Sequence, residues 1–186
     1  SARARLADKP GWHDSTFLLP PDFCAGGGSE ERVVFATMDS AANPFRIRGT
    51  LEQWQETVGR CCVGNSRLAC CVAAAFAPPL LRVLNEDGFG LHLGGGSSTG
   101  KSTSLFAAGS VWGGGPEGYH LSWRTTSAGI EGVAQSRNDS LLVLDELGEV
   151  EAKDASEITY MLANNVGKQR AKDTGDDWTP TGFPVE

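Results

Sequence analysis

Gly95-Gly96-Ser97-Ser98-Thr99-Gly100-Lys101-Ser102-Thr103 carries the spacing G-x-x-x-x-G-K-[ST] from Gly95 to Ser102, the pattern of a loop that cradles phosphate. Glycines at 95, 96 and 100 let the backbone curl so that successive N–H groups point inward at phosphate oxygens. A helix opening near Lys101 adds its positive dipole end at the same spot. Lys101 is suited to span the β- and γ-phosphates, and the Ser102 hydroxyl to ligate magnesium. Downstream, Leu141-Leu142-Val143-Leu144 reads as a buried strand ending on two carboxylates, Asp145 and Glu146. Asp145 stands where a carboxylate holds the magnesium shell through water, and Glu146 where one orients or deprotonates an attacking water. Alone, the first motif could be a glycine-rich turn and the second a helix cap or a solvated loop. Together they predict ATP binding by Gly95 through Thr103, Mg2+ ligation by Ser102 and Asp145, and catalysis by Lys101 and Glu146. No residue that reads the base is recognisable, so ATP and GTP are not distinguished.

The elements that must position these residues can be read on either side of them. Phe89-Gly90-Leu91-His92-Leu93 reads as the strand leading into the loop, and Ser102 to Gly109 as the helix leaving it, running on to Val111-Trp112. Leu121-Ser122-Trp123-Arg124 is a second strand, Ile130 to Arg137 a short helix, and Leu141 to Leu144 the third strand. Asp154-Ala155-Ser156-Glu157 is a capping box opening a helix through Ile158, Met161 and Leu162 to about Asn164. Strands alternating with helices predict an α/β core with a largely parallel sheet, and ligands collect at the carboxyl edge of such a sheet. Upstream, Thr50 with Gln53 forms a capping box ahead of Leu51, Trp54 and Val58. A second helix starts near Asn65 or Ser66 and runs to Phe76, apolar on nearly all sides and so expected to be buried, until Pro78-Pro79 interrupts it. Before Thr50 the pattern is short and extended: Ser15 to Leu19, Arg32 to Thr37 and Phe45 to Arg48, with turn-forming Pro20-Pro21-Asp22 and Gly26-Gly27-Gly28 between the first two. Ser1 to Pro10 reads as polar and loose.

These readings divide the chain into a β-rich appendage (1–50), a helical linker region (51–84), a phosphate-loop core (85–174) and an irregular tail (175–186). The 186 residues are 40% hydrophobic and 21% charged, ordinary for a soluble protein with a real core. A net charge of −7 argues against a diffuse nucleic-acid binder. Arg124 and the run Lys168, Arg170, Lys172 read first as a solvated basic face, and otherwise as contacts for phosphate, a neighbouring subunit or DNA. No apolar run of about 18 residues predicts a membrane span, and no leader is visible, although the chain begins at Ser1 rather than Met. Cys24, Cys61, Cys62, Cys70 and Cys71 resemble no disulfide framework and read as small buried thiols of a protein in reducing cytoplasm. The tryptophans Trp12, Trp54, Trp112 and Trp123 read as core, and His13, His92 and His120 as structural.

Several motifs in this order resemble a known family: Gly11-Trp12-His13, Gly64-Asn65-Ser66-Arg67-Leu68, Gly94 to Thr103, Trp123-Arg124-Thr125-Thr126, Ile130-Glu131-Gly132-Val133-Ala134, Leu142 to Glu146, and Glu157 to Asn164 with Gly167-Lys168. The chain resembles the bacterial domain-of-unknown-function family 927, helicase-like ATPases found on plasmids, prophages and other mobile elements, often beside primase modules. The resemblance covers roughly Gly11 to Lys172. It implies a P-loop ATPase core of the additional-strand, catalytic-glutamate type, with DNA and further copies of the chain as partners. It also implies a strand with a polar sensor residue after the Gly-Lys segment, lying between the strands that bear the two nucleotide motifs. Here Trp178 is followed by Thr-Pro-Thr-Gly-Phe-Pro-Val-Glu, whose prolines forbid an interior strand, so a C-terminally truncated core with a gap in its sheet is expected. The leading expectation is a Mg-dependent ATPase of a helicase-like protein. The alternatives are a nucleotide-binding module without turnover and, with no acceptor pocket or basic lid to support it, a small-molecule kinase.

Overall fold

The computed structural model describes residues 4–27, 32–35, 43–114, 119–124 and 126–163. Its architecture is mixed α/β, with two small parallel sheets, one antiparallel sheet and six α-helices among those residues. The N-terminal strands are β1 (Ala4–Ala7), β2 (Gly11–His13), β3 (Thr16–Leu19), β4 (Phe23–Gly26) and β5 (Arg32–Phe35). β2, β3 and β4 form an antiparallel meander, and β1 pairs in parallel with β5. The expected loose start is therefore corrected: Ala4–Ala7 is a strand, and Ala7 joins Leu18 and Val33 in a buried cluster. Burial of that alanine against a neighbouring strand outweighs the polar residues around it in sequence. Phe45 to Arg48, expected to be extended, forms no ladder with any described residue, yet Phe45 is buried against Tyr119 and Val143.

The helices between 51 and 84 follow the capping signals closely. Thr50 accepts from Gln53 N–H at 3.2 Å while Gln53 Oε1 accepts from Thr50 N–H at 3.0 Å, the reciprocal pair that opens α1 (Leu51–Trp54). The chain then widens into a π-turn over Gln55–Gly59. Asn65 Oδ1 accepts from Leu68 N–H at 3.1 Å and opens α2 (Ser66–Phe76). Only one face of α2 is buried, through Leu68, Cys71, Val72 and Ala75, so the expectation of burial all round is corrected. Phe76 and Cys70 are exposed, as are Cys24 and Cys61, and of the five thiols only Cys71 is fully buried. Pro78-Pro79 interrupts the helix as expected: α2 ends at Phe76, and the chain beyond the break is bent by 57°. α3 (Pro78–Leu84) starts on the prolines themselves, where a missing N–H costs nothing. No single helix among the described residues is long and apolar enough to cross a membrane; α2 and α3 pass on length and composition only as a bent pair.

Beyond α3 lie α4 (Lys101–Gly109), β6 (His120–Ser122), α5 (Ser127–Ser136), β7 (Val143–Asp145) and α6 (Ala152–Ala163). β6 and β7 pair in parallel, with Ser122 opposite Asp145. α5 begins earlier than its apolar residues suggest, because Thr126 Oγ1 accepts from Gly129 N–H at 3.2 Å and caps it. α6 likewise begins before Asp154, which sits in its first turn where a carboxylate complements the helix dipole. Ile130 of α5 packs against Ile158 and Met161 of α6, with Trp123 and Leu144 alongside.

One expected strand is missing. Phe89 to Leu93 forms no ladder with any described residue; Phe89 is 58% and Leu91 48% exposed, and only Leu93 is tucked against Cys71, Ala75 and Ala108. An apolar run becomes a strand only when a neighbour satisfies its backbone groups. Among the described residues, β7 is paired with β6 alone.

Tyr119 is the buried pivot under β6 and β7. Its hydroxyl donates to Leu141 O at 2.7 Å, Arg137 donates to its carbonyl at 2.9 Å, and the Arg137 guanidinium lies 4.3 Å from its ring centroid. Burial raises the Tyr119 phenol above its ordinary pKa and lowers the Arg137 guanidinium. Tyr119→Phe leaves the Leu141 carbonyl without its donor and is expected to lower the unfolding free energy by about 1–3 kcal/mol. Urea denaturation checks this through a lower midpoint at an unchanged slope.

Candidate functional site

α4 is the element that sets the site, and it is gripped from both sides. Ala108 is buried with Cys71 and Ala75 of α2, while Phe106 meets the His120 ring of β6 at 4.8 Å between centroids. Just past the helix, the Trp112 indole donates to Ala75 O at 2.8 Å, and Trp54 donates to Ser110 Oγ at 2.8 Å. The Trp12 indole is tied to Pro79 O at 2.8 Å, and Trp123 packs on the α5–α6 cluster. Each indole thus serves as a packing strut. His13 is bonded to Lys9 O at 3.0 Å.

At the N-terminus of α4 the loop turns on Gly100, whose backbone is left-handed at φ 84° and ψ 13°. A side chain there would strain the turn that aims the first N–H groups of the helix outward. Ser98 also takes a left-handed backbone, at φ 57°. Thr99 Oγ1 donates to Gly96 O at 3.0 Å and cross-braces the loop. The Lys101 ammonium folds back over it and donates to Gly95 O at 3.0 Å and Gly96 O at 2.5 Å. Gly95, Gly96, Ser97, Ser98, Thr99, Gly100 and Ser102 all lie exposed around this turn, with Thr103 exposed one residue into the helix.

The second motif meets the first. Ser102 Oγ donates to Asp145 Oδ2 at 2.8 Å, across 43 residues of sequence. The other carboxylate oxygen, Oδ1, accepts from Glu146 N–H at 2.8 Å, and Asp145 O accepts from Trp123 N–H at 3.0 Å, which anchors the end of β7 to β6. Glu146 adopts φ 66° and ψ 38°, a left-handed conformation that costs a non-glycine residue about 1–2 kcal/mol. The Glu146 side chain is exposed at the carboxyl edge of the β6–β7 sheet. Two hard oxygen donors, hydroxyl and carboxylate, thus converge beside a helix N-terminus and an ammonium group. That donor set suits Mg2+, which prefers a few protein oxygens and keeps its remaining positions for water and phosphate.

All of these residues fall inside a single family match. The sequence profile described as Domain of unknown function (DUF927) matches residues 1–181. This chain belongs to that family. No curated protein and no solved structure matches it. Family membership therefore accounts for the shared motifs, and their chemistry has to be argued from geometry.

The geometry also places residues outside the two nucleotide motifs. Ser122 stands opposite Asp145, and its Oγ accepts from Arg124 N–H at 3.1 Å, so Arg124 lies at the same sheet edge as the two carboxylates. Asn138 and Asp139, a turn-forming pair, bond to the Pro10–Trp12 segment across 127 or more residues. Nothing local announces the second arrangement. Lys168, Arg170 and Lys172 lie outside the described residues. An open groove lined by Glu52, Gln55, Glu56 and Arg60 contains none of the motif residues.

Proposed function

We propose that this chain is the nucleotide-binding core of a helicase-like P-loop ATPase, binding Mg-ATP at Gly95 to Thr103 and hydrolysing it. The observation that carries this reading is the 2.8 Å hydrogen bond from Ser102 to Asp145, which brings the phosphate-loop hydroxyl onto the carboxylate of the second motif. When bound, magnesium would neutralise phosphate charge, and Ser102 and Asp145 would hold it. Lys101 exchanges the carbonyls of Gly95 and Gly96 for β- and γ-phosphate oxygens, and the loop N–H groups and the α4 dipole take the remaining charge. Glu146 accepts a proton from water as its oxygen bonds to the γ-phosphorus. The bond to the bridging oxygen breaks, and ADP and phosphate leave.

Action on DNA in the replication of mobile elements and assembly with further copies rest on the family resemblance alone, and work in the cytoplasm on the cysteines, which resemble no disulfide framework. A second reading, a module that binds nucleotide without turnover, draws on the Phe89 to Leu93 segment, which has no ladder with any described residue, since a loop fed by such a segment is less firmly aimed. Calorimetric titration with Mg-ATP, followed by phosphate release with and without single-stranded DNA, tests both. Saturable, magnesium-dependent binding is expected, with turnover that DNA stimulates. Binding with no phosphate release selects the second reading, and no binding rejects both.

A further inference from the structure

Gly11-Trp12-His13 has no part in the phosphate chemistry, yet it takes part in the most elaborate polar cluster outside the site. Asp139 Oδ2 accepts from Trp12 N–H at 2.8 Å and from Asn138 Nδ2 at 3.0 Å, and it lies 3.7 Å from Arg82 NH1. The same Arg82 nitrogen donates to Trp12 O at 2.9 Å, and Asn138 Nδ2 also donates to Pro10 O at 3.1 Å. Arg82 and Asp139 are both largely shielded, with side chains 25% and 17% exposed. The approach is close enough to require glycine. Gly11 sits at φ 106°, and a Cβ there would collide with the Asp139 carboxylate. Asp139 is itself left-handed at φ 51°, strain that persists only where the surroundings hold the residue in place.

The position of this cluster in the chain gives it its meaning. Arg82 belongs to α3, which leads through Phe89 to Leu93 into the phosphate loop. Asp139 belongs to the turn that leads into β7 and Asp145. Only three residues separate Asp139 from Val143 of β7, and two of them are held in place: Ser140 Oγ donates to Arg137 O at 2.7 Å and Tyr119 Oη to Leu141 O at 2.7 Å. The two halves of the site thus reach one another from segments joined upstream by β2. In a parallel sheet, a hydrogen-bond ladder would fix that spacing, but Phe89 to Leu93 has none with any described residue. We propose that Trp12, Arg82 and Asp139 form a latch that takes over this task, and that Asp139 is a positioning residue for Asp145. The nucleotide arm of its test rests on the function proposed above.

Hydrogen exchange of the whole chain, read by mass spectrometry, tests the latch without reference to nucleotide. In Asp139→Ala, exchange is expected to accelerate in Gly11–His13 and also in Val143–Asp145, while α2 and α4 keep their protection. In the same variant, affinity for Mg-ATP should fall by about tenfold, the usual cost of losing a group that orients a metal ligand. Affinity for ATP in the presence of a chelator should hold, because the loop is intact. Asp139→Asn retains an acceptor for Trp12 N–H and tolerates the left-handed backbone, so it should restore both readouts most of the way. Arg82→Met, which keeps the apolar stem of the side chain, is read in the same way should Asp139→Ala unfold the chain globally. Faster exchange confined to Gly11–His13, with β7 and the magnesium response unchanged, would overturn the proposal and leave the cluster as an anchor for the N-terminal strands. A wild-type chain that binds no Mg-ATP would remove the function proposed above, while the exchange pattern would still decide the latch.

Discussion

Lys101→Ala is expected to remove measurable Mg-ATP binding, and turnover with it, while leaving the fold unchanged. The ammonium group rests on two loop carbonyls, Gly95 O at 3.0 Å and Gly96 O at 2.5 Å, at the solvent-exposed mouth of the loop. Neither bond stabilises the fold appreciably, because both partners are equally well solvated when they part. Bound phosphate changes this balance. Each hydrogen bond between the ammonium and a phosphate oxygen is charge-assisted, worth about 1.5–3 kcal/mol, and the alanine chain has no substitute for it. Two such bonds correspond to a loss of affinity of at least about a hundredfold, at 1.4 kcal/mol for each factor of ten. Alanine is also the best helix former and here takes the first position of α4, so its thermal midpoint should match that of the wild type. Titration with a fluorescent ATP analogue, beside a thermal melt, separates the two effects. If Lys101→Ala binds as tightly as the wild type, the phosphates do not sit in this loop.

Local signals account for much of the fold and for both motifs. The Thr50 and Asn65 caps are written within three residues of the N–H groups they satisfy, so α1 and α2 begin where the sequence puts them. The glycine spacing at 95 to 100 likewise specifies its own turn, and the apolar run Leu141-Leu142-Val143-Leu144 ahead of Asp145 marks β7. What could not be read depends on partners. Phe89 to Leu93 has the composition of a strand, but strand formation depends on a neighbour that sequence does not name. Pro78-Pro79 marks the end of α2 correctly, but does not by itself announce the new helix that starts on those prolines. Trp12 stands out in the sequence only as a core indole within Gly11-Trp12-His13, and Arg82 and Asp139 not at all; the three are joined because β2, α3 and the α5–β7 turn meet. The two motifs were legible because each is a contiguous run of residues, and the structure brings them together through Ser102 and Asp145. The latch was not, because side-chain networks need no fixed spacing.

Glu146→Gln is expected to abolish hydrolysis while preserving Mg-ATP binding. The substitution keeps the size and the left-handed backbone position of the side chain, and the Glu146 N–H that donates to Asp145 Oδ1 at 2.8 Å remains. Asp145 is therefore undisturbed, and with it the contact to Ser102. What the amide cannot do is accept a proton from water, and a positioned general base contributes about 10²–10⁴-fold to rate. Phosphate release should fall by that factor, at an unchanged or tighter dissociation constant for Mg-ATP. Glu146→Gly offers an independent check on the conformation itself. Glycine accepts φ 66° without strain, so this variant should be equally inactive yet more stable, by about 1 kcal/mol. Turnover that survives Glu146→Gln would assign the base to another residue, with Arg124 and Ser122 at the same sheet edge marking where to look for its neighbours. A wild-type chain as inactive as Glu146→Gln, and binding equally well, would identify a phosphate loop that holds nucleotide without cleaving it.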